Sequence, residues 1–356
     1  MVWVRQLHVR DFRNIREAGL ELHPGLNVLV GRNAQGKTSL LEAVGVLARG
    51  RSFRTEANPE MIRRGSRGLL VCAHTSGNGT EARLEVELQE ATRRFRVDGR
   101  EVPPREYRGR LEAVVYSTER LRVVRGPGRE RRQFLDRSGA ALWPAYRDAC
   151  RAFERVLAQR RAALEAHASD LPAWDERFAA LGARLRARRN AYVARLAAAL
   201  RDGYRPGGEG YDVRIEGCPG ADEAAQREWL WEEMARARPR ERAAGRSLVG
   251  PQRDAVQFLV DGRDAAAGAS AGQARSLLLA LAVATLQVHL EETGQAAVAL
   301  LDDLDSELDD ERAGALCADV VGRGQAIVTT VHPTWAAWLR PLGRVFEVSA
   351  GEVRPA

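Results

Sequence analysis

The stretch Gly31-Arg32-Asn33-Ala34-Gln35-Gly36-Lys37-Thr38 decides how this chain is read. It matches G-x-x-x-x-G-K-[ST], the P-loop pattern. Its two glycines let the backbone curl tightly enough for N–H groups to cradle phosphate oxygens. Lys37 places an ammonium on the β- and γ-phosphates, and Thr38 offers a hydroxyl to Mg²⁺. A chance match in a chain of this length is of order one in a hundred at average composition. A Gly-rich surface turn is the competing reading, and the context argues against it. Leu26 to Val30 is read as an apolar run, as expected of a buried strand. Thr38 to Leu47 reads as a helix whose N-terminal dipole faces the phosphates. Lys37 is also the only lysine in the sequence. Arginine serves every other cationic position, so a slim point charge is needed here. The segment Gly31 to Ser39 is therefore expected to bind a nucleoside triphosphate with Mg²⁺, ATP being the expected nucleotide.

Further along, Val298-Ala299-Leu300-Leu301 ends in Asp302 and Asp303. Alone, such a run is a solvated strand end. Beside a P-loop it reads as a Walker B strand, with Asp302 holding Mg²⁺ and Asp303 placed as general base for the attacking water. Ser270-Ala271-Gly272-Gln273 precedes an apolar helix over Ser276 to Leu290, and Ser306-Glu307-Leu308-Asp309 follows the Walker B run. Singly, these tetrapeptides need be no more than a loop and a helix cap. His332 follows the apolar run Ala326 to Thr330, where a capping or exposed histidine would serve equally well.

The chain of 356 residues suits one large domain or two ordinary ones. With 45% apolar and 29% charged residues it has the composition of a folded globular protein. The net charge of +7 and pI near 9.7 favour a polyanionic partner, although an arginine-rich genome would give the same balance. Arginines are dense from Arg120 to Arg205, with Arg184, Arg186, Arg188, Arg189 and Arg195 in one helical segment. Phosphate contacts by such residues give salt-sensitive binding with little sequence preference. Cys72, Cys150, Cys218 and Cys317 form no Cys-x-x-Cys pair, which argues against zinc and a disulfide framework and fits a cytoplasmic location. No signal peptide precedes the first strand-like residues. Ser276 to Leu290 is shorter than the ~20 apolar residues a bilayer crossing needs.

Strand signals fill the first third: Trp3 to Val9, Leu26 to Val30, Leu69 to His74, Ala82 to Leu88 and Arg94 to Val97. Asp98-Gly99 is the expected hairpin turn. From Arg129 to about Arg201 the pattern is helical, with breaks at Pro144 and Pro172. Stripes at Tyr146, Ala149, Phe153, Val156 and at Phe178, Leu181, Leu185, Tyr192, Leu196 predict an antiparallel helix pair, the second helix running roughly 28 residues or about 42 Å. Ala297 to Leu301 and Ala326 to Thr330 bracket helix-like sequence as a βαβ unit, and a terminal hairpin follows.

In this order the P-loop, Ser270 to Gln273, the Walker B run and Ser306 to Asp309 resemble the set found in ABC-type ATPases. The resemblance implies an α/β ABC-type ATPase head with a β-rich subdomain. Residues 1–128 would carry the P-loop, 129–245 an inserted helical lobe, and 246–356 the signature, Walker B and D-loop. In such heads Ser270 and Gly272 of one copy meet the γ-phosphate held by another copy's P-loop. Gln273 and His332 would also serve that shared site, His332 as a switch histidine.

Transport ATPases of this superfamily have a shorter gap between P-loop and signature than the 239 residues from Gly31 to Ser270. Structural-maintenance ATPases place long coiled coils there, for which this chain has no room. The whole sequence resembles instead the RecF family of bacterial recombination mediators. The matching segments are Leu7 to Asn14, the P-loop, Arg131-Arg132-Gln133-Phe134-Leu135-Asp136, and Gly250-Pro251-Gln252-Arg253-Asp254. In the last, Gln252 replaces the family's histidine, and no Q-loop glutamine is evident before the helical lobe. The resemblance implies an ATP-dependent homodimer that binds gapped or junction DNA and acts with RecO- and RecR-type partners to load RecA. It also implies slow, DNA-stimulated ATP hydrolysis, and a role in replication, damage repair and the SOS response. The engine of a membrane transporter and a small-molecule kinase are the competing classes. The first needs a coupling surface and a conventional signature; the second would make Ser270 to Gln273 coincidental.

Overall fold

The computed structural model describes residues 2–77, 79–89, 92–168, 171–205, 208–216, 222–304 and 310–356, with the backbone alone at 310–312. In chain order the elements begin with β1 (Val2–Phe12), β2 (Ile15–Glu21), β3 (Leu26–Val30), α1 (Lys37–Arg49) and β4 (Gly68–Gly77). Next come β5 (Thr80–Gln89), β6 (Thr92–Val97), β7 (Arg100–Glu101), α2 (Pro104–Tyr107) and β8 (Ala113–Tyr116). The middle holds α3 (Arg122–Arg125), α4 (Gly128–Leu142), α5 (Pro144–Glu165), α6 (Leu171–Asp202), β9 (Tyr211–Glu216) and α7 (Glu223–Ala244). After β10 (Ala255–Val260), β11 (Arg263–Asp264) and α8 (Ala265–Gly268) comes α9 (Ala271–Thr293). The remainder is β12 (Val298–Leu301), α10 (Asp310–Arg323), β13 (Ala326–Thr330), α11 (Pro333–Leu339), β14 (Gly343–Ser349) and β15 (Glu352–Pro355).

These fall into two compact units, 1–120 with 278–356, and 121–277. The sequence boundaries lie at 129 and 246, and the second differs because β10 pairs along its length with β9, from Ala255↔Glu216 to Val260↔Tyr211. That pairing ties residues 255–260 to the helical unit, and the division falls inside α9.

The first unit contains two sheets. One is antiparallel, ordered β2-β1-β4-β5-β6-β7, and closes its last turn through Asp98 (φ 49°) and Gly99 (φ 78°) as the Asp-Gly signal predicts. The other is ordered β15-β14-β3-β13-β12-β8, parallel except for β15. Strand β3 is buried at every position, and its one polar residue, Asn27, is satisfied by hydrogen bonds to the His23 backbone and the Ala326 carbonyl. Between the sheets lies α1, packed against strands of both. A helix covered on both sides buries apolar side chains around most of its circumference, here Leu40, Leu41, Val44 and Leu47, and its one internal acid, Glu42, is ion-paired. Each of these apolar side chains contributes about 1.5–3 kcal/mol relative to exposure. The strands β2 and β8 are additions to the elements read from sequence.

In the second unit α5 and α6 run in opposite directions. Trp143, just before α5, stacks edge-on against Tyr192, Phe153 meets Phe178, and Arg160 bonds Asp175. Helix α6 has 32 residues, about 48 Å by rise per residue. Helix α9 is longer than Ser276 to Leu290. At 23 residues, with an 18-residue stretch of mean hydropathy 1.3, it reaches the length of a bilayer crossing, so shortness does not exclude that role. Its apolar side chains, from Leu277 to Val288, are instead covered by the rest of the chain.

Candidate nucleotide site

The P-loop leaves β3, a central strand of the parallel sheet, and Lys37 opens α1. Gly36 takes φ 117°, a conformation only glycine adopts without strain, which explains its place in the motif. Gly31 is required for a different reason: a Cβ there would lie 2.2 Å from the carbonyl oxygen of Val348. Lys37 is 4% exposed and donates to the carbonyl oxygens of Gly31 (2.6 Å) and Arg32 (3.0 Å) across the loop. The ammonium is thus held over the loop that would receive phosphates.

The second component arrives on β12. That strand is separated from β3 by β13, and the registers Leu301↔Val328 and Leu301↔Tyr116 set Asp302 level with Thr329 and Ser117. Asp302 accepts from Thr38 Oγ1 (3.0 Å), Thr329 Oγ1 (2.8 Å) and Ser117 Oγ (3.3 Å). Burial, reinforced by the neighbouring Asp303 charge, pushes its carboxyl up to about 6 despite these donors. A buried carboxylate 3.0 Å from the P-loop hydroxyl is a donor set that fits Mg²⁺, whose positive charge would offset the desolvation. Asp303 has φ 51°, unusual for a residue with a side chain, and its N–H donates to Thr329 Oγ1 (2.9 Å).

Around this centre the structure adds residues whose roles the sequence does not declare. The turn after β1 places Asn14 against the P-loop: its Oδ1 accepts from Ser39 Oγ (2.9 Å) and its Nδ2 donates to the Ala34 carbonyl (3.4 Å). Arg13 turns to Glu42, which is fully buried on α1, in a two-pronged pair at 2.9 and 2.7 Å. Arg54 and Ser52 complete the shell of that carboxylate. Ser117 and Thr329 carry no motif signal. Only the strand pairing places them beside Asp302.

Among the residues expected at the nucleotide, Gly31, Arg32, Asn33, Ala34, Gln35, Gly36, Lys37, Thr38 and Ser39 form one continuous loop and helix start with Asp302 and Asp303 beside it. The register Thr330↔Val30 brings the chain leading to His332 out at the same end of the sheet as the P-loop. His332 is exposed as the N-cap residue of α11, its N–H donating to Thr330 Oγ1 (3.0 Å).

Ser270, Gly272 and Gln273 belong to the second unit and start α9. There Ser270 Oγ accepts from Gln273 N (3.1 Å) while Gln273 Oε1 accepts from Ser270 N (3.0 Å), a reciprocal capping box. Ser270 and Gly272 are exposed, and a Cβ on Gly272 would meet only Ser270 Oγ, at 4.0 Å. Ser306 to Asp309 lie outside the described residues, as does Cys218.

The arginine-rich helix α6 splits into two populations. Arg186 and Arg189 are buried, contrary to an expected role in meeting a polyanion. Arg186 grips Asp254 Oδ1 (2.8 and 2.5 Å), and Arg189 bridges Asp254 Oδ2 (2.6 Å) to Asp136 (2.9 and 2.8 Å). Burial forces them into ion pairs, since an unpaired internal charge would cost several kcal/mol. The segments ending in Asp136 and Asp254 therefore meet on one helix as a structural node. Arg184, Arg188 and Arg195 are exposed.

A P-loop on a central parallel strand, with a carboxylate pair one strand beyond its neighbour, defines an ABC-type ATPase head. The sequence matches the RecF/RecN/SMC N-terminal domain over residues 3–353. It is 34% identical over 375 residues to the DNA replication and repair protein RecF of Synechococcus sp. (strain JA-2-3B'a(2-13)), spanning 100% of this chain and 98% of that protein. Against the protein of that name from Gloeobacter violaceus (strain ATCC 29082 / PCC 7421) it is 37% identical over 346 residues, covering 93% and 92%. Among solved structures it superposes on the recombination mediator protein RecF-ATP in the RecFOR pathway with a TM-score of 0.89 and 27% identity, covering 100% and 99%. The Smc head of Pyrococcus yayanosii shares the fold at a TM-score of 0.61 and 12% identity, covering 100% and 97%. The chain belongs to the RecF family.

Proposed function

We propose that this chain is an ATP-dependent DNA-binding protein of recombinational repair, in which ATP joins two copies and hydrolysis releases them. The observation that carries the two-copy reading is the signature itself. Ser270 and Gly272 are exposed at the N-terminus of a 23-residue helix, and Gly272 has open space where a side chain would fit. Nothing within its own surroundings requires that glycine. Close approach by a phosphate from outside would, and a helix N-terminus attracts such an anion. Kinship with RecF proteins, one of them solved with ATP, supports the same reading.

In this reading Lys37 and the P-loop N–H groups hold the β- and γ-phosphates, and Thr38 with Asp302 would hold Mg²⁺. When bound, the ion would supply positive charge that offsets the charge developing in the transition state. Asp303 orients and polarises the water that attacks the γ-phosphorus; the bond to the leaving ADP oxygen breaks as the new one forms. The exposed arginines, Arg184 and Arg188 among them, supply phosphate contacts to gapped or junction DNA. Partners of the RecO and RecR type, and RecA loading, follow from the RecFOR kinship. Hydrolysis is slow and stimulated by DNA, and the protein acts in the cytoplasm.

Size-exclusion chromatography with light scattering tests this on the Asp303→Asn variant, which should bind ATP without cleaving it. The expected result is a dimer with ATP and Mg²⁺, and a monomer with ADP. A variant that binds ATP yet stays monomeric, with or without gapped DNA, would overturn the shared-site mechanism.

A further inference from the structure

We propose that the turn joining β14 to β15 is an external buttress of the P-loop, and that the side chain of Gln35 positions the loop through that turn, leaving phosphate contact to Lys37 and the backbone N–H groups of the loop. This inference rests on the nucleotide-site reading above and deepens it.

Ala350 (φ 50°) and Gly351 (φ 82°) form a two-residue turn closed by the pair Ser349↔Glu352, with both residues in the left-handed region. This geometry turns two successive N–H groups toward the P-loop. Ala350 N donates to Gln35 Oε1 (2.7 Å) and Gly351 N donates to the Gln35 carbonyl (2.9 Å). The side chain of Gln35 is therefore engaged by the hairpin, and its Nε2 turns to the Asn33 carbonyl (3.3 Å) within the loop. Two close approaches fix the spacing. A Cβ on Gly31 would strike the Val348 carbonyl oxygen at 2.2 Å, and one on Gly351 would strike the Asn14 carbonyl oxygen at 2.6 Å. The P-loop, the turn after β1 and the hairpin turn thus meet with no room for another atom.

Peptide planarity carries the effect into the loop. In a trans peptide the C=O and the next N–H point in opposite directions. With the Gln35 carbonyl held by Gly351 N–H, the Gly36 N–H must face away from the hairpin. With the Ala34 carbonyl turned to Asn14 Nδ2 (3.4 Å), the Gln35 N–H is likewise constrained. These N–H groups belong to the set that cradles phosphate. The hairpin thereby holds the donors aligned before nucleotide arrives, sparing that ordering cost on binding.

The test titrates the full chain with a fluorescent ATP analogue and Mg²⁺. The variants are Gln35→Met, which removes the acceptor at similar size, Gln35→Glu, which keeps an acceptor for Ala350 N–H, and Gly351→Ala, which forces the turn away from Asn14. Gln35→Met and Gly351→Ala should each weaken binding about tenfold, with ATPase KM rising in step and kcat changing less than KM. The double variant should bind no more than about twofold worse than the weaker single one, since both act on the same junction. Gln35→Glu should bind more tightly than Gln35→Met. Wild-type affinity in both Gln35→Met and Gly351→Ala, or fully multiplicative losses in the double variant, would overturn the proposal. If Gln35→Met does not fold, Gly351→Ala alone decides by the same criterion. A wild-type chain that binds no ATP would sink the nucleotide-site reading itself, an outcome distinct from variants that bind as wild type does.

Discussion

At the scale of single residues, the site depends on groups outside the P-loop and Walker B motifs. Glu42 sits on α1 one turn beyond Thr38, fully buried, and its charge is balanced by Arg13 and Arg54. Removing it would strand Arg13, whose side chain is only 18% exposed, beside the P-loop helix. Breaking a buried pair from one side costs about 3–5 kcal/mol, so Glu42→Gln should lower stability by that order in urea unfolding. The Arg13→Gln, Glu42→Gln double variant should recover part of the loss. Here the sequence is legible only in part. Lys37, Thr38 and Asp302 declare themselves through local patterns, an apolar strand followed by a fixed spacing. Arg13 and Asn14 stand in a segment that resembles the RecF family, but nothing local says that one goes to Glu42 and the other to the loop. Ser117 and Thr329 are ordinary hydroxyls until strand pairing brings them to one carboxylate.

Individual elements show the same division. Strand β3 and helix α1 are readable because both are mostly apolar and flank the P-loop pattern. Strand β8 is not: four residues with no periodicity, Ala113 to Tyr116, become a strand only by pairing with β12. In the helical unit, α4 and α5 approach so closely that a Cβ on Gly139 would fall 2.0 Å from the Tyr146 ring. That ring cannot swing aside, because it is fully buried and its hydroxyl donates to Asp136 (2.7 Å). Gly139→Ala should therefore destabilise this unit by about 1–3 kcal/mol, against the gain in helix propensity that the substitution ordinarily brings. Thermal unfolding followed by Trp fluorescence would measure it. Burial pushes the thiols of half-buried Cys150 and fully buried Cys317 up to about 12.

On the scale of the whole molecule, the arginines of the helical unit separate into an exposed and an internal population. A net charge of +7 points to a polyanion as the expected partner, yet composition does not tell a surface arginine from an internal one. Arg160, Arg186 and Arg189 are internal, each locked to buried or half-buried carboxylates. Substituting Arg184 and Arg188 by alanine should leave folding intact and weaken DNA binding, with the salt slope of log K becoming shallower by roughly 1 for each phosphate no longer neutralised. Asp254→Asn should do the reverse, costing about 3–5 kcal/mol of stability because Arg186 and Arg189 lose their shared carboxylate. Salt-dependent fluorescence anisotropy on gapped duplex, set beside urea unfolding, separates the two classes.

The solitary lysine has one more consequence. A protease that cuts after lysine finds a single peptide bond in the 356 residues, and that bond lies between Lys37 and Thr38, with the Lys37 side chain 4% exposed. Cleavage there requires the start of α1 to come undone, so under native conditions the cut samples opening of the P-loop segment, locally or with the whole fold. The molecule thus carries its own reporter: two fragments when the pocket opens, one band when phosphate clasps it shut.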